Sequence, residues 1–165
     1  MKKRKLFLII TLILLSVIIT SGCSNQRRFN IEILNKYEFV DGFLENHKIS
    51  ECFYLDSESG EYKLSNPSLP EEYTLVIKSE EEYKKIFANS SKVNFEKEIL
   101  VVYIYSTIYN SDIKITEIDL DEGELSIDFK HKLVVGTGSA SMPHQENVVF
   151  KLAKGDFYKI DIDED

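Results

Sequence analysis

The fold of this chain depends on one hydrophobic run in its second half, Ile-Leu-Val-Val-Tyr-Ile-Tyr at residues 99–105. Almost every residue in the run is β-branched or aromatic, and these residue types favour extended strands. A strand that is exposed on one face alternates hydrophobic and polar residues, whereas this run is continuous. It therefore predicts a central strand that is buried on both faces.

A short helix is predicted upstream of this strand. The tetrapeptide Ser79-Glu80-Glu81-Glu82 is a capping box, in which the serine hydroxyl accepts from the last amide and the last carboxylate reaches back to the serine. Its three acids also favour the positive end of the helix dipole. The hydrophobic positions that follow have helical spacing and are Tyr83, Ile86 and Phe87. We expect an amphipathic helix that ends around Asn89-Ser90-Ser91.

Alternating hydrophobic residues predict further strands on both sides of the central run. The alternating positions are Tyr73 to Ile77, Ile113 and Ile115, Ile118 and Leu120, Leu125 to Phe129, Val148 to Leu152, and Tyr158 to Ile162. These strands follow one another in the sequence, are joined by turns and have one helix among them. The pattern predicts an α+β fold over residues 31–165: a single domain with a mainly antiparallel sheet and one short helix packed on it.

Three local features refine this prediction. The parity of the hydrophobic positions changes after Ile115, which indicates a β-bulge near Thr116-Glu117. The segments Asp121-Glu122-Gly123 and Ser57-Glu58-Ser59-Gly60 are typical of hairpin turns. Residues 31–49 fit both a helical stripe and strand alternation, so the sequence leaves the structure of that segment open.

Residues 1–22 have the pattern of a secretory signal peptide. Four basic residues at positions 2–5 precede an uncharged hydrophobic run at residues 6–19. This run is shorter than the ~20 residues that a membrane-spanning helix needs. We therefore expect a cleaved leader rather than a transmembrane anchor.

The next residues, Thr20-Ser21-Gly22-Cys23, resemble the lipobox of bacterial lipoproteins, although Thr20 replaces the usual leucine. The resemblance implies cleavage between Gly22 and Cys23 and acylation of Cys23 by fatty acids such as palmitate. Residues 23–30 would then form a tether that holds the domain at the extracytoplasmic face of the cell membrane. The alternative is an ordinary secreted protein with a free thiol at Cys23.

The remainder of the chain is acidic. The full chain has 20 Lys and Arg against 28 Asp and Glu, and removal of the leader leaves 16 against 28, a net charge near −12. Its proportions of charged residues (29%) and hydrophobic residues (43%) are those of a folded globular protein. Nucleic acids and anionic membrane surfaces are recognised by clustered Lys and Arg, so this balance argues against both as partners.

No catalytic motif is evident, and we predict that the protein is not an enzyme and uses no cofactor. Cys52 lies in a β-prone run with no indicated base, so we expect a small buried hydrophobic residue. The histidines His47, His131 and His144 are scattered and lack a zinc-binding spacing. A hydrolase would require His144 to meet a serine or Cys52 inside a deep pocket.

Acidic residues in two places imitate a metal site, but we predict no resident metal. Asp119, Asp121 and Gly123 resemble the start of a calcium-binding loop, with the glycine one position early. A hairpin turn with exposed acids accounts for the same residues. The tail at residues 161–165 is also acidic, and weak divalent-cation binding there remains an alternative to a solvated end.

Three segments of the second half together resemble a known family. They are Val76-Ile77-Lys78-Ser79-Glu80-Glu81-Glu82-Tyr83, Asn94-Phe95-Glu96-Lys97-Glu98 and Gly138-Ser139-Ala140-Ser141-Met142-Pro143-His144-Gln145. Residues 73–165 are thereby similar to the carboxy-terminal domain of PrcB-type bacterial lipoproteins, which are accessory proteins of protease complexes. A glycine pair of that family is replaced here by Tyr109-Asn110-Ser111.

The resemblance implies a lipid-anchored accessory protein that supports an extracytoplasmic protease complex, and it supplies no catalytic residues. We predict an interaction module whose partner is an envelope protein, with a protease complex as the expected one. The candidate interaction residues are Tyr109, Gly136, Gly138, Ser139, Ser141, Pro143 and His144. The alternative function is a lipoprotein that binds a small ligand or a divalent cation, either between helix and sheet or at the acidic tail.

Overall fold

The computed structural model describes residues 30–56, 58–89, 92–132 and 142–164. Within these ranges the chain forms nine strands and two helices. In chain order they are β1 (Ile31–Ile33), α1 (Phe43–Asn46), β2 (Phe53–Leu55), β3 (Tyr62–Leu64), β4 (Tyr73–Ile77), α2 (Glu80–Ile86), β5 (Glu98–Thr107), β6 (Ile113–Asp121), β7 (Glu124–His131), β8 (His144–Ala153) and β9 (Lys159–Glu164). The segment that the sequence leaves open, 31–49, thus begins as a strand and later forms a single helical turn.

The strands form two sheets rather than the one predicted. The main sheet has the order β3-β2-β8-β5-β4, with β1 also paired to β8, and the small sheet has the order β6-β7-β9. The prediction of mainly antiparallel pairing is correct only in part, because β7 and β9 are parallel and β2 meets β8 in a parallel bridge. The reason lies in the connection after β8: residues 154–158 carry the chain from the main sheet to the small one, where β9 runs in the direction of β7.

Strand β5 is buried on both faces, as the sequence indicates. Its odd-numbered residues from Ile99 to Tyr105 pack with β8 and with Leu125, Ile127 and Phe129 of the small sheet. Its even-numbered residues from Leu100 to Ile104 pack on the other side, with the helices and the segments that flank them. The domain is therefore three layers deep, with the main sheet in the middle. The predicted packing of a helix on the sheet is correct, with α1 as a second helix.

Helix α2 begins as predicted but ends earlier. The Ser79 hydroxyl accepts a hydrogen bond from the Glu82 amide at 3.2 Å, whereas the Glu82 carboxylate accepts from the Lys78 amide at 2.6 Å instead of from Ser79. The helix stops at Ile86 because Phe87 is extended and forms a bridge with Phe39, and their rings stack at 5.2 Å. This aromatic contact takes Phe87 out of the helix.

The two turn features of the small sheet are confirmed. The β6–β7 register shifts between Ile115 and Glu117, which is the predicted bulge. The hairpin after Asp121 turns through Glu122 and Gly123, and both have positive φ angles, of 47° and 91°. Two consecutive positive φ angles match the right-handed twist of the flanking strands and favour glycine at the second position.

Loss of a buried side chain on β5 should destabilise the fold more than the same change at an exposed site. Leu100 is fully buried, whereas Leu64 on β3 is 58% exposed. We expect Leu100→Ala to lower the free energy of unfolding by about 3 kcal/mol, because it removes hydrophobic contacts and leaves a cavity.

Urea unfolding of the full chain measures this difference, with Leu64→Ala as the matched control. The control should change the free energy of unfolding by less than about 1 kcal/mol. Equal effects at both positions would contradict the burial of the helix-facing side of β5.

Candidate functional site

Between the two sheets the core changes from hydrophobic to polar at one end. Along β5, β7, β8 and β9 the residues that face the space between the sheets are hydrophobic for most of the strand. At the same end of the sandwich these rows finish in polar side chains. We call this group the polar end, and it consists of Tyr105, Thr107, His131, Glu146 and Glu164.

The imidazole of His131 is the centre of the polar end. Its Nδ1 lies 3.0 Å from the Ser111 carbonyl oxygen, and because a carbonyl only accepts, Nδ1 carries a proton and donates it. Its Nε2 lies 3.3 Å from the Tyr105 hydroxyl and 3.4 Å from the Thr107 hydroxyl. A Glu164 carboxylate oxygen is 3.7 Å from the same nitrogen. The ring is thus held in one orientation by groups from three segments of the chain: β5, the loop after it, and β9.

The electrostatics of this region keep the neighbouring phenols protonated. Burial, with a smaller contribution from the Glu146 carboxylate, raises the pKa of Tyr37 to about 12. Burial also raises the pKa of Tyr105, and the negative charges of Glu164 and Glu146 add to this effect. The pKa of Glu164 is raised by burial, against the opposing effects of His131 and of a hydrogen bond from Thr107. The region has a negative potential and two neutral tyrosine donors.

A cavity of about 700 Å³, the polar cavity, lies beside the polar end. One wall comes from the segment after β1, another from the loop between β5 and β6, and the floor from the start of β8. Its lining includes Tyr37, Tyr105, Tyr109, Asn110, His131 and Glu146. The Tyr37 hydroxyl donates to the Asn147 side-chain oxygen at 2.8 Å, so this wall is fixed to β8.

A second cavity, the hydrophobic groove, has a volume of about 580 Å³ and lies next to the β2–β3 hairpin. Its lining includes Leu44, Phe53, Tyr54, Leu55, Met142 and His144. The ammonium of Lys48 lies 3.6 Å above the Tyr54 ring, which is a cation–π contact. Asn110 lines this groove as well as the polar cavity, so the two depressions meet at the β5–β6 loop.

The candidate interaction residues are divided between these two depressions. Tyr109 lies at the polar cavity, with its ring centroid 5.0 Å from that of His131. The Pro143 carbonyl accepts from the Phe53 amide at 2.8 Å, and this bond fixes the hairpin to the start of β8. Gly136, Gly138, Ser139 and Ser141 lie outside the described residues, as do Gly22 and Cys23.

His144 is part of a strand rather than the end of a loop. It is the first residue of β8 and pairs with Thr107 on one side and Phe53 on the other. Its Nε2 is buried without a hydrogen bond, although Glu146 Oε1 is only 3.3 Å away. The prediction placed His144 in a loop because the hydrophobic pattern of β8 starts only at Val148. Backbone pairing begins four residues earlier, at His144.

Cys52 does not meet His144. The prediction that it is a buried hydrophobic residue is confirmed, since it is 1% exposed within the core on the helix side of the main sheet. Its Sγ lies 3.7 Å from the Ile49 carbonyl oxygen and from the Ser65 hydroxyl. Phe53, the next residue, pairs with His144, and paired residues lie on the same face of the sheet. The side chain of Cys52 therefore points to the opposite face from that of His144.

The acidic residues are distributed along strands and turns. Asp121 flanks the β6–β7 hairpin, as predicted, and Asp161 is 3.4 Å from the Lys159 ammonium. Within the described ranges, no three His, Cys, Asp or Glu side chains are arranged to hold a metal ion. In the same ranges, no helix has the length and hydrophobicity to cross a membrane.

The polar end was not predicted, although the sequence contains a signal for it. Leu125, Ile127 and Phe129 alternate as inward-facing residues, and His131 continues the same parity. The same argument extends the row Ile160 and Ile162 to Glu164. A polar residue at an inward position of a strand needs a partner, and each of these two has one.

No match was found. Comparisons with protein families, with curated proteins and with solved structures all lack a significant counterpart of this chain.

The raised pKa of Tyr37 predicts a loss of stability at high pH. A buried phenol that stays protonated stabilises the fold fully below pH 10, the pKa of an unfolded tyrosine, and this contribution disappears as the pH rises towards 12. We expect the free energy of unfolding of the Tyr37→Phe variant to fall less steeply between pH 10 and 12 than that of the parent chain.

Denaturant unfolding at a series of pH values measures these slopes. The matched control is Tyr62→Phe, because Tyr62 is an exposed tyrosine on β3. Its slope should equal that of the parent, and an unchanged slope in Tyr37→Phe would contradict the buried, protonated state of Tyr37.

Proposed function

We propose that this chain is a lipid-anchored, non-enzymatic interaction protein at the extracytoplasmic face of the cell membrane. In this proposal it binds another envelope protein, with a protease complex as the expected partner. The anchor is supported by the signal-peptide pattern and by the lipobox-like sequence ending at Cys23. The protease partner rests only on the resemblance of the three sequence segments between Val76 and Gln145 to PrcB-type lipoproteins.

The main structural support for the proposed interaction is the uncovered hydrophobic face of the β2–β3 hairpin. Phe53 pairs with Leu64 and Leu55 pairs with Tyr62, and directly opposed residues share one face of a sheet. Leu55, Tyr62 and Leu64 are 58%, 64% and 58% exposed. Contiguous exposed hydrophobic side chains on a soluble domain are typical of a protein-binding surface.

The position of the hairpin explains why this face is uncovered. It is the face that carries Val148 and Phe150 in the centre of the main sheet, where the small sheet packs. The packed cluster contains residues of β1 and β4, whereas residues of β2 and β3 do not belong to it within the described ranges. The main sheet extends past the small one here, next to the hydrophobic groove. A partner that covers the hairpin would fill the groove with the same contact.

A non-enzymatic role agrees with the placement of the reactive groups. The Cys52 thiol is enclosed in the helix-side core, away from both depressions. The His131 Nδ1 is occupied by the Ser111 carbonyl, and its Nε2 faces two hydroxyls that also belong to the core. These contacts hold the His131 imidazole in place within the core.

The proposed anchor predicts that Cys23→Ala releases the protein from lipid. Without the thiol there is no acceptor for acyl chains, each of whose buried methylenes contributes about 0.8 kcal/mol to membrane binding. We expect the parent chain to incorporate an alkyne-labelled palmitate analogue and the variant to incorporate none.

Cys52→Ala is the matched control for this experiment, because it removes the other cysteine of the chain. The control should label as strongly as the parent. Equal labelling of the parent and Cys23→Ala would exclude the anchor.

The proposed interaction predicts that the hairpin is the point of contact in cells. A photo-crosslinking residue at position 62 should capture an envelope protein. The same residue at position 158 should capture none, although Tyr158 is the more exposed tyrosine, at 76%.

The double variant Leu55→Lys and Leu64→Lys should abolish the crosslink from position 62, because it places charges in a surface that must be desolvated. Its folding is checked by circular dichroism, since both side chains point to solvent. A crosslink that persists in a folded double variant would show that the hairpin is not the binding surface.

A further inference from the structure

The polar cavity contains a carboxylate, that of Glu146, which forms no ion pair with a lysine or arginine within the described part of the chain. The Glu146 carboxylate has His144 within ion-pair distance, at 3.3 Å, but no lysine or arginine. The basic residue in the cavity lining, Lys132, lies 3.8 Å from Asp112. Glu146 is therefore a negative charge in a concave surface, and its side chain is 42% exposed.

Three tyrosines line the same cavity as this carboxylate. Tyr105 is the cross-strand neighbour of Glu146, and Tyr37 and Tyr109 form two further walls. The faces of tyrosine rings attract cations, and the attraction grows as water is excluded. Glu164, behind Tyr105, adds a second negative charge to the same region. Aromatic faces around a carboxylate favour an organic cation over an anion or an uncharged group.

A protein that covers the β2–β3 hairpin can also reach the polar cavity. Asn110 lines both the polar cavity and the hydrophobic groove, so one partner surface can occupy the two depressions together. Arginine is enriched at the centres of protein interfaces, where its planar guanidinium forms paired hydrogen bonds with a carboxylate and stacks on aromatic rings. The overall negative charge of this chain also favours a positively charged partner surface.

We propose that the polar cavity is a recognition pocket for an arginine side chain of the partner protein. The guanidinium binds the Glu146 carboxylate and stacks on Tyr109, with the Tyr37 and Tyr105 rings as the inner walls. This inference rests on the proposed interaction function and specifies the partner: its contact surface carries an arginine that enters the polar cavity beside the hairpin contact.

The test uses small probes and the full chain in mild detergent, with binding measured by ligand-observed NMR. The probes are Nα-acetyl-arginine amide, its uncharged analogue Nα-acetyl-citrulline amide, and putrescine. We expect the arginine probe to bind at least about tenfold more tightly than the citrulline probe, because a charge-assisted bond to the carboxylate is lost in the latter. Equal affinity of the two probes would overturn the proposal.

Two substitutions locate the binding. Glu146→Gln should weaken the arginine probe about tenfold, and Tyr109→Leu about fivefold through the lost ring face. The matched control Glu117→Gln removes an exposed carboxylate from the small sheet and should leave affinity unchanged. Unfolding midpoints verify that the variants fold, and Tyr109→Leu tests the pocket separately if Glu146→Gln is unstable. Unchanged affinity in both folded variants would overturn the proposal.

Putrescine separates a partner side chain from a free polyamine. Tighter binding of the arginine probe supports the side-chain assignment, and tighter binding of putrescine would overturn it. Failure of the arginine pocket can be distinguished from failure of the proposed interaction function. If position 62 captures a partner but arginine does not bind, only the pocket assignment fails. If arginine binds but nothing is captured at position 62, the hairpin interaction fails.

Discussion

The double burial of β5 is the constraint on which the rest of the domain depends. Because its odd and even residues both face hydrophobic cores, one layer must cover each side of the main sheet. The helices and their flanking segments supply one layer, and the small sheet supplies the other. Ten consecutive cross-strand pairs with β8 hold the strand in register. A shift by one residue would exchange the two sets of side chains between cores that differ in shape.

Features that depend on short-range chemistry could be predicted from the sequence. The continuous hydrophobic run at 99–105 marked the central strand, Ser79 marked the start of α2, and the parity change after Ile115 marked the bulge. Each depends on residues within a few positions of one another. The end of α2 was misplaced because Phe87 is extended through a bridge to Phe39, a residue far away in the sequence.

Pairing between distant strands could not be predicted in the same way. The alternation in β9 gives its inward residues, Ile160 and Ile162, but does not indicate that its neighbour is β7 or that the pairing is parallel. The candidate site has the same limitation. His131 and Glu164 continue the inward-facing rows of β7 and β9, but only the parallel pairing of these two strands within the small sheet brings their side chains within 3.7 Å. Tyr109 was identified from its loop, whereas the carboxylate beside it comes from another strand.

The polar end also gives the buried imidazole of His131 hydrogen-bond partners where the two-sheet core closes, whereas the Nε2 of the neighbouring His144 has none. A hydrophobic row that continued to the edge of the sandwich would be exposed there, whereas a polar row needs hydrogen-bond partners. His131 is suited to this position for two reasons. One face of its ring is covered by Tyr109, and both of its ring nitrogens have oxygen neighbours. The resulting rim is polar and held by hydrogen bonds between β5, β7 and the β5–β6 loop.

The place of β8 in the chain has a consequence for the order of folding. This strand pairs with β5, with β1 and with β2, so it connects most of the main sheet, yet it comprises residues 144–153 and follows all of these strands in the chain. The pair Ile31 and Leu152 closes one of the longest possible loops in the domain. Contacts of such sequence separation form slowly, because the entropy of closing the loop is lost before the contacts are gained. A growing chain therefore has no complete main sheet until β8 has emerged, although the β4–β5 and β6–β7 pairs can form before it.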